Sequence, residues 1–91
     1  MSDLERRRAL LEEVRQLLAT RLRLDRAAHQ TDPDAPLFGA GLGLDSVDAV
    51  ELVVSVEEVF DVDMPDGAEA RAVLRTANRI VDHILAVRSS A

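Results

Sequence analysis

Ser46 is the residue of this chain best placed to carry a group. It sits in the run Gly41-Leu42-Gly43-Leu44-Asp45-Ser46-Val47-Asp48, where a loop punctuated by glycines gives way to a segment edged with acids. Gly39, Gly41 and Gly43 alternate with Ala40, Leu42 and Leu44, a pattern suited to a sharp turn before a helix. The helix is expected to begin near Asp45 or Ser46. Asp45 makes a good N-cap because its carboxylate can accept from an orphan N–H of the first turn, and Asp48 falls where an acid favours the helix dipole. The Ser46 hydroxyl then lies beside unpaired N–H groups, so a phosphate ester on it would meet a partly positive helix end. Asp45 and Asp48 would repel a free anion, which favours a covalently attached phosphate over a reversible phosphate site.

Other chemistries fail on spacing. Residues 61–67, Asp-Val-Asp-Met-Pro-Asp-Gly, resemble a calcium loop only briefly: counting from Asp61, the sixth position is Asp66 instead of glycine and the twelfth is Ala72 instead of glutamate. Loose divalent binding by these acids is the most they suggest, and no metal site is expected. Gly39-Ala40-Gly41-Leu42-Gly43 lacks the spacing of a dinucleotide loop and follows no strand. Ser46 has no glycine two residues to either side and is not a nucleophile elbow. Of the two histidines, His29 in the long loop and His83 in the last helix, His29 reads as a solvated loop residue in preference to a member of a triad, and no catalytic residue is expected.

The helix that must present Ser46 runs from residue 47 to residue 60 without Gly or Pro. Turning each residue by about 100° sorts it into three stripes. Leu52, Val53, Val56, Val59 and Phe60 form the expected core face. Asp48, Glu51, Ser55 and Glu58 run along one edge, and Val47, Val50 and Val54 form a narrower apolar line beside it. Valine favours strands over helices, but the length and the three-stripe order argue for helix.

The rest of the sequence bounds what such a site can serve. The chain has 91 residues and reads as a single domain over residues 1–91, large enough to fold alone but too small to enclose a deep catalytic cavity easily. There is no cysteine, so stability must come from helix packing. No apolar run approaches membrane-spanning length and the first residues lack a signal peptide's apolar segment, so a soluble cytoplasmic chain is expected, with no membrane partner. The net charge of −6 hides an asymmetry: residues 1–30 carry seven arginines against five acids, and residues 31–91 carry four against twelve. Between Arg26 and Arg71 there are eleven acids and no basic residue. Nucleic acid needs clustered cations and is not an expected partner. A basic protein surface, drawn in by long-range attraction that salt weakens, is.

Four helices are expected. The first runs from residue 4 to about residue 22, with Leu4, Leu10, Leu11, Val14, Leu17, Leu18 and Leu22 along its apolar stripe. Residues 25–37, with Pro33, Pro36, Asp32 and Asp34, form a long ordered loop that Leu37 and Phe38 pin to the core. After the central helix, Met64-Pro65-Asp66-Gly67 breaks the chain, and residues 68–74 can form one or two short turns. Thr76 then caps a last helix bearing Ile80, Val81, Ile84, Leu85 and Val87. Only the tail Ser89-Ser90-Ala91 looks disordered. The fold class is all-α, a four-helix up-and-down bundle with a long first loop and a short third helix.

These residues together resemble the acyl carrier protein family, four-helix modules bearing a 4′-phosphopantetheine arm. The likeness covers the first helix, Leu37-Phe38, the signature Asp45-Ser46-Val47, the acidic helix through Asp48, Glu51, Leu52, Glu57, Glu58 and Phe60, then Met64-Pro65, and Thr76 opening a helix that ends near Ile84. The resemblance implies that Ser46 is modified, with Asp45 beside it. A phosphopantetheinyl transferase, using Mg²⁺ and coenzyme A, joins the arm to Ser46 as a phosphodiester. Ser46 is then a substrate and the chain is no enzyme. The resemblance further implies that the arm's thiol holds acyl groups as thioesters for fatty-acid or polyketide biosynthesis, and that a monomeric carrier delivers them to acyl-loading enzymes, ketosynthases and other acyl-processing enzymes. Basic docking surfaces on these enzymes would meet Asp48, Glu51, Glu57 and Glu58, with Val47, Val50 and Val54 as apolar contacts. Such contacts are expected to be small and transient. Gly41-Leu42-Gly43-Leu44 departs from the common fatty-acid form toward stand-alone carriers of specialised pathways, and residues 65–76 look slightly longer than usual. The alternatives are a peptidyl or aminoacyl carrier, or an acidic helical interaction module that is never modified.

Overall fold

The computed structural model describes residues 2–22, 32–38 and 45–90. The loop glycines Gly39, Gly41 and Gly43, the histidine His29 and most of the expected 25–37 loop lie outside the described residues. Four helices follow in order: α1 Asp3–Arg21, α2 Ser46–Phe60, α3 Gly67–Val73 and α4 Ala77–Ser90, with no strand segment among the described residues. The chain is an all-helical four-helix bundle. α1 packs against both α2 and α4, and α3 packs against α4.

Three of the four helices begin at a side-chain cap, and α3 begins without one. Ser2 caps α1 by accepting from Glu5 N at 3.2 Å, and Thr76 caps α4 by accepting from Arg79 N at 3.1 Å through Oγ1. α2 ends at Asp61, which takes the left-handed conformation with φ 53°, and Arg88 from α4 donates to the Phe60 carbonyl that this ending leaves free. Gly67 opens α3 at φ +60°, a value any side chain would strain, which is why the break falls at Asp66-Gly67.

Val14, Leu18, Leu37, Leu52, Val56, Ile80, Val81 and Ile84 are fully buried, so one layer of aliphatic side chains joins α1, α2 and α4. Burying each such side chain contributes about 1.5–3 kcal/mol before conformational entropy is set against it. Leu37 does pin the loop to this core, while Phe38 packs against it half-buried. Polar bonds fix the same place: Leu37 N donates to Arg75 O and Asn78 N donates to Pro33 O, both at 3.0 Å, and Asn78 Nδ2 donates to Asp34 Oδ1 at 2.6 Å. Arg7 completes the junction by pairing with Asp82 at 2.6 Å and donating to Asn78 Oδ1 at 3.2 Å.

Four expectations need correction. Leu4 belongs to the apolar stripe by spacing but is exposed, because the first turn of α1 extends past the core. Val59 was expected in the core and is 48% exposed; it faces an open groove walled by Glu13, Gln16 and Arg21, long polar side chains of α1 that do not close over it. Ser55 was expected on the acidic edge and is buried, since it lies one turn from Leu52 and turns with it toward the core. Its Oγ has no partner among the described residues. Ser89 and Ser90 are helical, because nothing after Arg88 interrupts the hydrogen-bond ladder of α4.

Candidate functional site

Ser46 is the first residue of α2, exposed, and its hydroxyl has no hydrogen-bond partner among the described residues. The local sequence produces this arrangement. Asp45 takes the N-cap position with extended backbone, and its Oδ1 accepts from both Val47 N and Asp48 N at 3.0 Å. Asp48 returns the bond, its Oδ2 accepting from Asp45 N at 2.9 Å, which completes a capping box built from two aspartates. A serine at a helix start usually serves as the cap. Here that role is filled one residue earlier, so the Ser46 hydroxyl is left free at the positive end of the helix.

The capping bonds also set the charge of the site. The Asp48 N–H is the largest influence on the Asp45 carboxyl; with the Val47 N–H it holds that group below the ordinary value, against a partial opposing effect of desolvation. Asp45 is therefore ionised throughout the neutral range. Asp48 is half-buried and engaged in the box, whereas Glu51 is exposed and forms no ion pair among the described residues. The two acids have the same charge and different tasks.

Along the rest of α2, Val47, Val50 and Val54 are 75%, 66% and 43% exposed, so the apolar line faces solvent and does not act as a second core. Glu57 is half-buried and its Oε2 accepts from Met64 N at 3.2 Å, which ties down the segment after α2. Glu58 is exposed and lies 3.7 Å from Arg21 of α1. The structure thus brings Ser46, Val47, Val50 and Glu51 together on one bare face and turns Glu57 and Glu58 toward contacts within the bundle. Among the described residues, no group of three or more acidic or histidine side chains converges as a metal site, the acids of 61–67 included.

A groove of about 490 Å³ opens beside Ser46. Phe38, Ala49 and Leu74 give it an apolar lining, and Arg71 and Arg75 line it as well. Nothing in the spacing of the sequence signals these arginines, which stand 25 and more residues beyond Ser46, Arg71 on α3 and Arg75 in the turn that follows it. Among the described residues no helix is long and apolar enough to cross a membrane.

Comparison with known proteins agrees with this geometry. The family described as the phosphopantetheine attachment site matches residues 12–84. An acyl carrier protein of Cyanidioschyzon merolae is 37% identical over 81 residues, which cover 89% of this chain and 84% of that protein. An acyl carrier protein of Helicobacter pylori is 41% identical over 58 residues, 64% of this chain and 70% of its own length. A bundle of four helices, with a covalent 4′-phosphopantetheine as its cofactor and a carrier's role in place of a catalyst's, places the chain in the acyl carrier protein family.

Proposed function

We propose that the 4′-phosphopantetheine arm is joined to Ser46 and that residues 1–91 form one monomeric, cytoplasmic carrier domain that shuttles acyl intermediates between biosynthetic enzymes of fatty-acid or polyketide type. The observation that carries this reading is the free Ser46 hydroxyl, exposed at the start of α2 while Asp45 satisfies the neighbouring N–H groups. The residues present fit the group: an accessible oxygen, a turn that the capping box holds in one place, and a groove alongside that can receive part of a flexible arm. When bound, the arm supplies a thiol that holds acyl groups as thioesters. The chain's own residues do the rest. Asp45 and Asp48 fix the turn so that the oxygen is presented in one place, and Val47, Val50, Val54 and Glu51 offer the surface on which a transferase and acyl-processing enzymes dock.

That surface is small, half apolar and acidic, which suits brief contacts with basic partners. Asp48 adds its charge to the docking face from inside the capping box. Glu57 and Glu58 extend the negative field further along α2, although their bonds to Met64 N and Arg21 leave them less free to pair with a partner. Co-expression with a phosphopantetheinyl transferase and coenzyme A is expected to add one phosphopantetheine to the wild type and none to Ser46→Ala, read by intact-protein mass spectrometry. A wild type left bare by several competent transferases would favour an unmodified acidic interaction module instead. The thioester cargo captured on protein from its native cells then identifies the pathway, and an aminoacyl cargo would assign the carrier to peptide synthesis.

A further inference from the structure

The groove beside Ser46 poses an electrostatic question that the family assignment does not answer. A phosphodiester on Ser46 lies next to the carboxylates of Asp45 and Asp48, and the sequence holds no cation between Arg26 and Arg71 that could offset them. The fold brings two. Arg71 from α3 and Arg75 from the turn that follows line the same groove as Ser46. Both are exposed and neither forms an ion pair among the described residues, whereas Arg7 pairs with Asp82, Arg21 pairs with Glu58, and Arg88 donates to the Phe60 carbonyl. Around them the groove is apolar, through Phe38, Ala49 and Leu74.

We propose that Arg71 and Arg75 bind the phosphodiester of the arm on Ser46, laying the first carbons of the arm along Phe38 and Leu74 in a docked resting state. This rests on the assignment of Ser46 as the attachment point. A guanidinium matches phosphate oxygens as a planar fork, and two of them on an apolar wall suit an anion with hydrocarbon attached. Covalent attachment at Ser46 keeps the anion close to both arginines, so weak, solvent-exposed pairs suffice to hold it there. Arg71 and Arg75 are positioning residues: they set where the arm rests, and a docking enzyme draws the arm out of the groove.

The test compares apo and holo protein by NMR, after mass spectrometry has verified the loading. In wild type, loading is expected to shift the Nε–Hε signals of Arg71 and Arg75 and the methyl signals of Leu74, and the ³¹P signal of the folded holo protein is expected to differ from that of the same phosphodiester in urea-unfolded holo protein. The double variant Arg71→Gln/Arg75→Gln should bring the ³¹P signal of the folded protein to the position of the unfolded reference, and Arg71→Lys/Arg75→Lys should keep part of the shift away from that position. In wild type, raising the ionic strength to about 1 M, where the screening length is near 3 Å, should reverse it. A loaded protein whose ³¹P signal is the same in wild type and in the Gln variant, or is indifferent to salt, overturns this proposal alone. So do arginine shifts that appear only after an acyl group is added, which would assign the pair to cargo. A wild type that gains no mass overturns the Ser46 assignment and this proposal with it.

Discussion

Asp45 at the start of α2 and Thr76 at the start of α4 use the same device, a side-chain oxygen that accepts N–H bonds of the first turn. Their surroundings are opposite. Around Thr76 the loop through Pro33 and Leu37 closes in, Asn78 is held by bonds to that loop, and Ala77, Ile80 and Val81 are wholly buried. Around Asp45 the next residues, Ser46, Val47 and Val50, stand in solvent. A cap therefore fixes where a helix begins, and packing decides whether its first turn becomes scaffold or display. Among the described residues, no other element covers the start of α2.

The sharpest way to break this contrast is to shorten one side chain on each face of α2. Leu52→Ala is expected to cost about 2–5 kcal/mol in urea unfolding, and Val50→Ala to stay within about 0.5 kcal/mol while slowing transfer to partner enzymes. Equal destabilisation by the two would show that α2 has no display face. Next in size, Thr76→Ala should cost about 1 kcal/mol, because it unties a cap whose helix anchors the core. Calorimetry reads that loss, and an unchanged midpoint would mean that the loop bonds alone hold α4.

A smaller and more local effect follows from pH. The Asp45 carboxyl is depressed in the folded chain, so its contribution is fully present above the ordinary aspartate value and is lost as pH falls through the folded one. The protection of the Val47 and Asp48 amides against exchange, relative to their intrinsic rates, should therefore fall in that acidic range before that of the core amides of α4 does. Simultaneous loss at both helices would place the α2 cap inside the global unfolding unit. The smallest effect on stability, and the cleanest on function, is expected of Glu51→Arg: an unchanged unfolding midpoint with slower partner transfer, the difference from wild type shrinking at high salt. Asp48→Arg is a poorer probe than its position on the helix suggests. It removes the acceptor of the Asp45 N–H, so it should raise exchange at the helix start as well as slow transfer. Transfer by both variants at wild-type rates would rule out electrostatic docking on this face.

Much of the site is legible in the residues themselves. Asp45 as cap, Ser46 beside it and the solvent-facing line of Val47, Val50 and Val54 all follow from local bonding and helical spacing. Of the exceptions, Val59 and Leu4 share a cause, since spacing assigns a face and a neighbour must exist to cover it, whereas Ser55 is covered because it lies one turn from Leu52. Val59 has the right angle but meets the polar side of α1, and Leu4 lies beyond the reach of the other helices. Glu57 and Asp48 look like members of one acidic ridge until their hydrogen bonds to Met64 N and Asp45 N separate them from Glu51.

By itself the sequence determined where the helices begin, which residue is offered at the turn before α2, and the sign of the charge along that helix. These depend on bonds within a few residues and on a 3.6-residue repeat. Only the tertiary structure decided that Ser55 is buried, that Val59 is not, and that Arg71 and Arg75 meet Ser46 at one groove. Those outcomes depend on how α1 packs against α2 and α4 and on where α3 and the turn before α4 come to lie, and contacts between distant segments leave no periodic trace along the chain.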